Sequence, residues 1–181
     1  MTARATRGAA GAMRAAVAAL ALAACGGGEK AAPAAGGDLL VNQQNGPPLP
    51  TLNPDPAANT FAPALGVDLA KFRKLPSGLY VRDDKIGTGA TAAAGREARV
   101  EYQGSLANGK EFDASRGSPF VFTPGQGQVI QAWDEAVPGM RVGGVRTIVV
   151  PAALGYGAAG AGPDIPPNAV LVFRMELVGV R

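Results

Sequence analysis

From Arg99 to Leu106 the chain alternates strictly, and this stretch constrains the fold more than any other. Val100, Tyr102, Gly104 and Leu106 share one face, while Arg99, Glu101, Gln103 and Ser105 share the other, the pattern of a half-buried strand. Asn108-Gly109 follows, a pair suited to the φ > 0 positions of a tight hairpin turn. The chain then returns through Glu111, Phe112 and Asp113. Tyr102 and Phe112 therefore come from strands paired by that turn.

Further strand signals surround this hairpin. Phe120 and Phe122 alternate after Pro119, with Phe122 directed to the core opposite Val121. Val129, Ile130, Trp133 and Val137 have helical spacing, and Pro138-Gly139 stops the helix after about two turns. Strands resume over Val145–Val150 and Ala169–Val178, where Leu171, Phe173, Met175 and Leu177 share a face. One short helix among antiparallel strands predicts an α+β domain. Between the last two strands, Gly155-Tyr-Gly157-Ala-Ala-Gly160 matches the G-x-G-x-x-G dinucleotide fingerprint. That fingerprint needs a helix to begin there, which Gly162-Pro163 and Pro166-Pro167 forbid.

Composition divides the 181-residue chain into three. Residues 1–24 carry Arg4, Arg7 and Arg14, no acid, and an apolar run from Ala15 to Ala24, which reads as a signal peptide. The run falls well short of the roughly 20 residues that span a bilayer. It ends in Leu22-Ala23-Ala24-Cys25, similar to the lipobox of bacterial lipoproteins; the competing reading is a plain Ala-x-Ala cleavage site. Residues 25–75 are then a lipidated N-terminus and a Gly/Pro/Ala-rich disordered tether, with one short turn capped by Asp68. The folded domain is expected over residues 76–181, with the tether dispensable to it.

Several function classes are excluded by composition. The chain has no His and one Cys, so a Ser-His-Asp or Cys-His centre, a histidine base, an internal disulfide and a zinc site of ordinary spacing are all ruled out. The precursor's net charge of +3 resides in the three Arg of the leader, and the mature chain is formally neutral at 14 basic against 14 acidic residues. With no basic stripe, nucleic-acid binding is not supported. What remains is a set of aromatics with one carboxylate on consecutive elements, the composition of an apolar binding site. Periodicity alone favours core roles for Trp133, Phe120 and Phe173, and a turn-capping role for Asp113.

Taken in order, Tyr102-Gln-Gly, Asn108-Gly109-Lys-Glu-Phe112-Asp113, Pro119-Phe120-Val-Phe122, Gly127-Gln-Val-Ile130-Gln-Ala-Trp133, Gly139-Met-Arg-Val-Gly-Gly, Leu154-Gly-Tyr156-Gly157 and Ile165-Pro-Pro-Asn-Ala-Val-Leu-Val-Phe173 resemble the FK506-binding-protein (FKBP) type of peptidyl-prolyl cis-trans isomerase. The resemblance runs from about Gly78 to Arg181. It implies a strongly curved antiparallel sheet wrapped around one short helix, and acceleration of X-Pro rotation with no covalent step, cofactor or metal. It implies Trp133 as the floor under the proline ring, with Tyr102, Phe112, Phe120, Val129, Ile130 and Phe173 as walls. Asp113 and Tyr156 are then polar groups at the rim, the Ile130 N–H binds a substrate carbonyl, Gln128 and Ile165 touch substrate, and residues 157–165 form a flap.

Implied partners are unfolded or partly folded envelope proteins containing X-Pro bonds, macrolides such as FK506 or rapamycin as inhibitors, and the membrane through acylated Cys25, with the domain in the periplasm or on the outer face. The rival readings are a proline-peptide-binding module or holdase without catalysis, and a purely structural lipoprotein. Three departures from the family pattern stand out. The Ser115–Pro119 loop is short and lacks a basic residue that partners the site carboxylate, Ala161 is small for its flap position, and Ala132 replaces the usual Gly.

Overall fold

The computed structural model describes residues 52–181, within a compact unit running from Pro50 to Arg181. The expected signal peptide, Cys25 and the tether up to residue 51 lie outside the described residues. The strands are β1 (Arg73–Lys74), β2 (Tyr80–Lys85), β3 (Ala98–Leu106), β4 (Glu111–Ala114), β5 (Phe120–Phe122), β6 (Val145–Val150) and β7 (Leu171–Val180), with one helix, α1 (Gln131–Ala136). They make one antiparallel sheet in the order β1-β2-β6-β7-β3-β4, with β5 also paired to β3. The expected α+β architecture of an antiparallel sheet with one short helix is present.

β3 organises the site. One edge pairs with β7 along its whole length, while the other is divided between β5 at Ala98–Val100 and β4 at Gln103–Ser105. At the changeover Ser115 substitutes for a partner strand. Its Oγ accepts the Tyr102 N–H at 2.9 Å, and its own N–H donates to the Tyr102 carbonyl at 3.0 Å. Buried backbone polar groups need such partners.

Both faces of the central strands are covered. Leu171, Phe173, Met175 and Leu177 are fully buried on one face of β7, as their alternation predicts, and pack with Trp133, Ile148 and Val150. On the other face Val149, Val170, Val172 and Tyr80 form a second cluster closed by Phe72, Phe61, Leu65, Val67 and Leu69. Residues 52–75 are thus part of the folded unit, which begins well before the expected boundary at 76. The sequence suggested a tether because these apolar residues sit among Pro, Gly and Ala with no strand or helix period. They make three 3₁₀ turns, and the expected cap at Asp68 accepts the Ala70 N–H at 3.2 Å.

Two local expectations are corrected. The β3–β4 turn is not a two-residue Asn-Gly turn with both residues at φ > 0. Only Gly109 has positive φ (88°), while Asn108 accepts the Lys110 N–H on its side chain. Gly109 N–H donates to the Leu106 carbonyl and Leu106 N–H to the Lys110 carbonyl, both at 2.9 Å, giving a three-residue loop with its αL position at Gly109. Second, Ser105 is buried although alternation puts it on the solvent face. The strand β2, which the sequence did not signal, has four consecutive charged residues, Arg82 to Lys85, of which the first three are engaged by neighbours. Arg146 Nε donates to Asp83 at 2.6 Å, Thr147 Oγ1 donates to Asp84, and the Arg82 guanidinium lies over the Phe72 ring at 4.6 Å.

Candidate active site

Six aromatic rings from five elements meet at the N-terminal end of α1. Trp133, fully buried on α1, packs with Tyr102 from β3 (centroids 5.0 Å apart), Phe173 from β7 (5.5 Å), and Phe122 and Phe120 from β5 (5.7 and 6.0 Å). Phe112 from β4 meets Phe173 edge-on at 5.5 Å. Most of these pairs are near-perpendicular, the arrangement that sets one ring's positive edge against another's negative face. Tyr102, Phe112, Phe120, Val129, Ile130 and Tyr156 are only half-buried around this centre, whereas Ile165 is buried within it.

A bulge in β4 brings Phe112 and Asp113 to this side together. Gly104 pairs with Asp113 but Ser105 pairs with Glu111, leaving Phe112 as an extra residue. In a regular strand adjacent side chains point to opposite faces; a bulge re-aims them. Phe112 accordingly reaches Phe173, and Asp113 Oδ2 accepts the Tyr102 hydroxyl at 2.6 Å. Asp113 Oδ1 accepts the Ala114 N–H at 2.9 Å, a contact within β4 and not the turn cap that the bare sequence suggested. Gly104 makes room for this arrangement, because a Cβ there would lie 2.7 Å from Phe112 Cζ and 2.8 Å from Phe173 Cε1.

The electrostatics follow from burial and one carboxylate. Burial pushes the Tyr102 phenol well above its usual range, and the hydrogen bond to Asp113 and that residue's negative charge add to the shift. Burial also raises Tyr156, with the Asp113 charge as a second cause. The Tyr156 hydroxyl and the Ile130 N–H donate to no acceptor among the described residues. Neither does the buried Trp133 Nε1–H.

Gln128 is brought to the neighbourhood but not into the ring cluster. It is exposed, and its Oε1 accepts the Thr123 N–H at 2.8 Å, bracing the loop before α1. Asp134 braces the same loop by accepting the Gly125 and Gly127 N–H groups at 2.9 and 3.1 Å. Asp134 and Ser115 are positioning residues that sequence patterning did not single out. An acid in the first turn of a helix preceded by Gly125-Gln-Gly127 is a detectable signal for the first. For Ser115 the strand-to-strand changeover has no sequence signature. Over residues 157–165 the chain makes a 3₁₀ turn at Gly157–Ala159 and a bridge between Ala161 and Ile165. A salt bridge of 2.9 Å joins Asp164 to Lys110 in the β3–β4 hairpin.

These observations define an α+β domain in which one short helix packs on an antiparallel sheet, with an aromatic cluster and a tyrosine-bound carboxylate at its edge. Residues 89–178 match the FKBP-type peptidyl-prolyl cis-trans isomerase family. An FK506-binding protein of Neisseria meningitidis serogroup B is 48% identical over 105 residues, 57% of this chain and 96% of that protein. FK506-binding protein 4 of Rhizopus delemar is 46% identical over 112 residues, 61% of this chain but only 29% of that protein. The chain spans under a third of such longer relatives. Among solved structures, AtFKBP13 superposes with a TM-score of 0.57 at 41% identity, covering 61% of this chain and 98% of that one. FkpA from Escherichia coli gives 0.56 at 37% identity, covering 61% and 52%. The chain belongs to the FKBP-type peptidyl-prolyl cis-trans isomerase family.

Proposed function

We propose that this domain accelerates cis–trans rotation of X-Pro bonds in unfolded or partly folded proteins of the bacterial envelope. The observation that carries the reading is the aromatic cluster around Trp133 with the Tyr102–Asp113 pair at its edge. Rotation about an X-Pro bond crosses a barrier of about 18–20 kcal/mol because it breaks amide resonance. In the twisted state the carbonyl is less polar and the nitrogen more basic. An apolar site therefore disfavours the planar amide relative to the twisted one, and this differential stabilisation needs no proton transfer.

In this reading the proline ring enters among Tyr102, Phe112, Phe120, Val129, Ile130 and Phe173 above Trp133, and Ile165 closes one side. The unpaired Ile130 N–H and Tyr156 hydroxyl donate to substrate carbonyls. Gln128 acts through the loop it braces. The same groups bind macrolides such as FK506. Titration with FK506 tests this, because Trp133 is the only Trp and its emission should change on binding. Unaltered emission, with no bound ligand detected by calorimetry, would overturn the assignment of these residues.

The leader-like residues 1–24 and Leu22-Ala23-Ala24-Cys25 support an anchored envelope location, with Cys25 acylated. No helix among the described residues is long and apolar enough to cross a membrane. Cys25→Ser should release the mature protein in soluble form, and an unmodified Cys25 thiol found by mass spectrometry on membrane-extracted protein would contradict the anchor.

A further inference from the structure

We infer that Asp113 makes this site selective for a positive charge next to the proline, a specificity that rests on the isomerase reading above. Asp113 is a half-buried carboxylate at the edge of the aromatic cluster, and no Lys or Arg lies within ion-pair distance of it among the described residues. Its hydrogen-bond partners, the Tyr102 hydroxyl and the Ala114 N–H, are both neutral. Of the two cations nearest in sequence, Lys110 and Arg116, the second is turned away. Its Nη2 donates to Glu111 Oε1 at 2.8 Å, its side chain is 80% exposed, and its backbone is left-handed (φ 50°). Lys110 is likewise engaged by Asp164.

A second carboxylate, Glu101, lies near the same strand changeover and accepts from Ser115 Oγ and the Gly117 N–H, again without a cation. Glu111 and Asp164, also near the site, are each paired with a cation, whereas among the described residues Asp113 and Glu101 are not. Each Asp113 oxygen accepts one hydrogen bond and keeps a lone-pair direction for another donor. A Lys or Arg beside the proline supplies the missing counter-charge, and a Glu there is repelled.

The test compares kcat/KM for tetrapeptides carrying Lys, Glu or the uncharged Gln immediately before the proline. Attraction for one and repulsion for the other should favour Lys over Glu by about fivefold at low salt, the scale of a charge pair at a partly solvated site. Asp113→Asn keeps the shape and should bring the ratio close to one, whatever its effect on overall rate. Raising ionic strength from about 0.02 to 1 M should do the same in the unmodified protein, because the Debye length shrinks to about 3 Å. Catalysis with a salt-independent Lys/Glu ratio near one overturns the inference and leaves the isomerase reading standing. A folded protein that accelerates none of the peptides overturns both.

Discussion

The Tyr102 hydroxyl donates a 2.6 Å hydrogen bond to Asp113 Oδ2, joining β3 to the bulged strand β4 at the edge of the ring cluster. This contact fixes the orientation of a carboxylate that has no cationic partner among the described residues. Tyr102→Phe should cost about 1–3 kcal/mol of stability, the range for a hydrogen bond to a charged group whose acceptor is left in place. The loss should show in denaturant midpoints with an unchanged m-value, and FK506 affinity should fall as Asp113 becomes free to reorient. Asp113→Asn should weaken the double mutant little further, and additive effects of the two changes would contradict the coupling.

Gly104 is required for space, not for backbone freedom, since it is not among the positive-φ glycines. Gly104→Ala should destabilise the domain by about 1–3 kcal/mol through overpacking against Phe112 and Phe173. Because Phe112 and Asp113 share one bulge, macrolide affinity should fall with it. Calorimetric melting and FK506 titration check both effects, and a variant with wild-type values in each would show that the rings yield freely.

Residues 52–75 should prove necessary for full stability. Phe72 is 9% exposed in the second cluster, and its loss in Phe72→Ala should cost about 3 kcal/mol. A chain starting at residue 76 should melt well below one starting at residue 50, with Tyr80, Val149, Val170 and Val172 newly exposed. Equal melting temperatures would return the boundary to where composition alone put it.

The two rim phenols set the pH behaviour. Burial and Asp113 raise both Tyr102 and Tyr156 from an ordinary value of 10.0, so the fold favours their protonated forms. Their contribution to stability is complete below pH ~10 and is lost only as pH rises through the raised values. Rotation of an amide needs no proton from the protein, so kcat/KM should stay flat within about twofold from roughly pH 5.5 to 8.5. A bell-shaped profile with limbs inside that window would contradict a purely non-covalent mechanism.

What the sequence made legible was whatever depends on short-range period. The alternation of Leu171, Phe173, Met175 and Leu177, the helical spacing ending at Pro138-Gly139 and the core position of Phe122 all appear in the fold. The ordered motifs also anticipated that Tyr102, Phe120 and Phe173 meet Trp133, but not that Phe122 does. What stayed hidden depends on contacts between distant segments. The β4 bulge breaks the alternation rule at Phe112, Arg146 and Thr147 make a strand of a charged run, and the segment before Pro76 acquires its structure only by packing on β6 and β7. The engagement of Arg116 by Glu111 is a local contact, but it depends on the left-handed backbone at Arg116, which no residue pattern announced.

The most direct measurement is the cis–trans exchange rate of an X-Pro tetrapeptide, followed by protease-free NMR with the chain from Pro50 to Arg181. Uncatalysed exchange takes tens to hundreds of seconds. Exchange should be accelerated in proportion to protein concentration, abolished by saturating FK506 and strongly reduced in a folded Tyr156→Phe/Asp113→Asn double variant. A folded protein that binds such peptides yet leaves their exchange at the uncatalysed rate would contradict the isomerase reading, and would make the domain a proline-peptide-binding module.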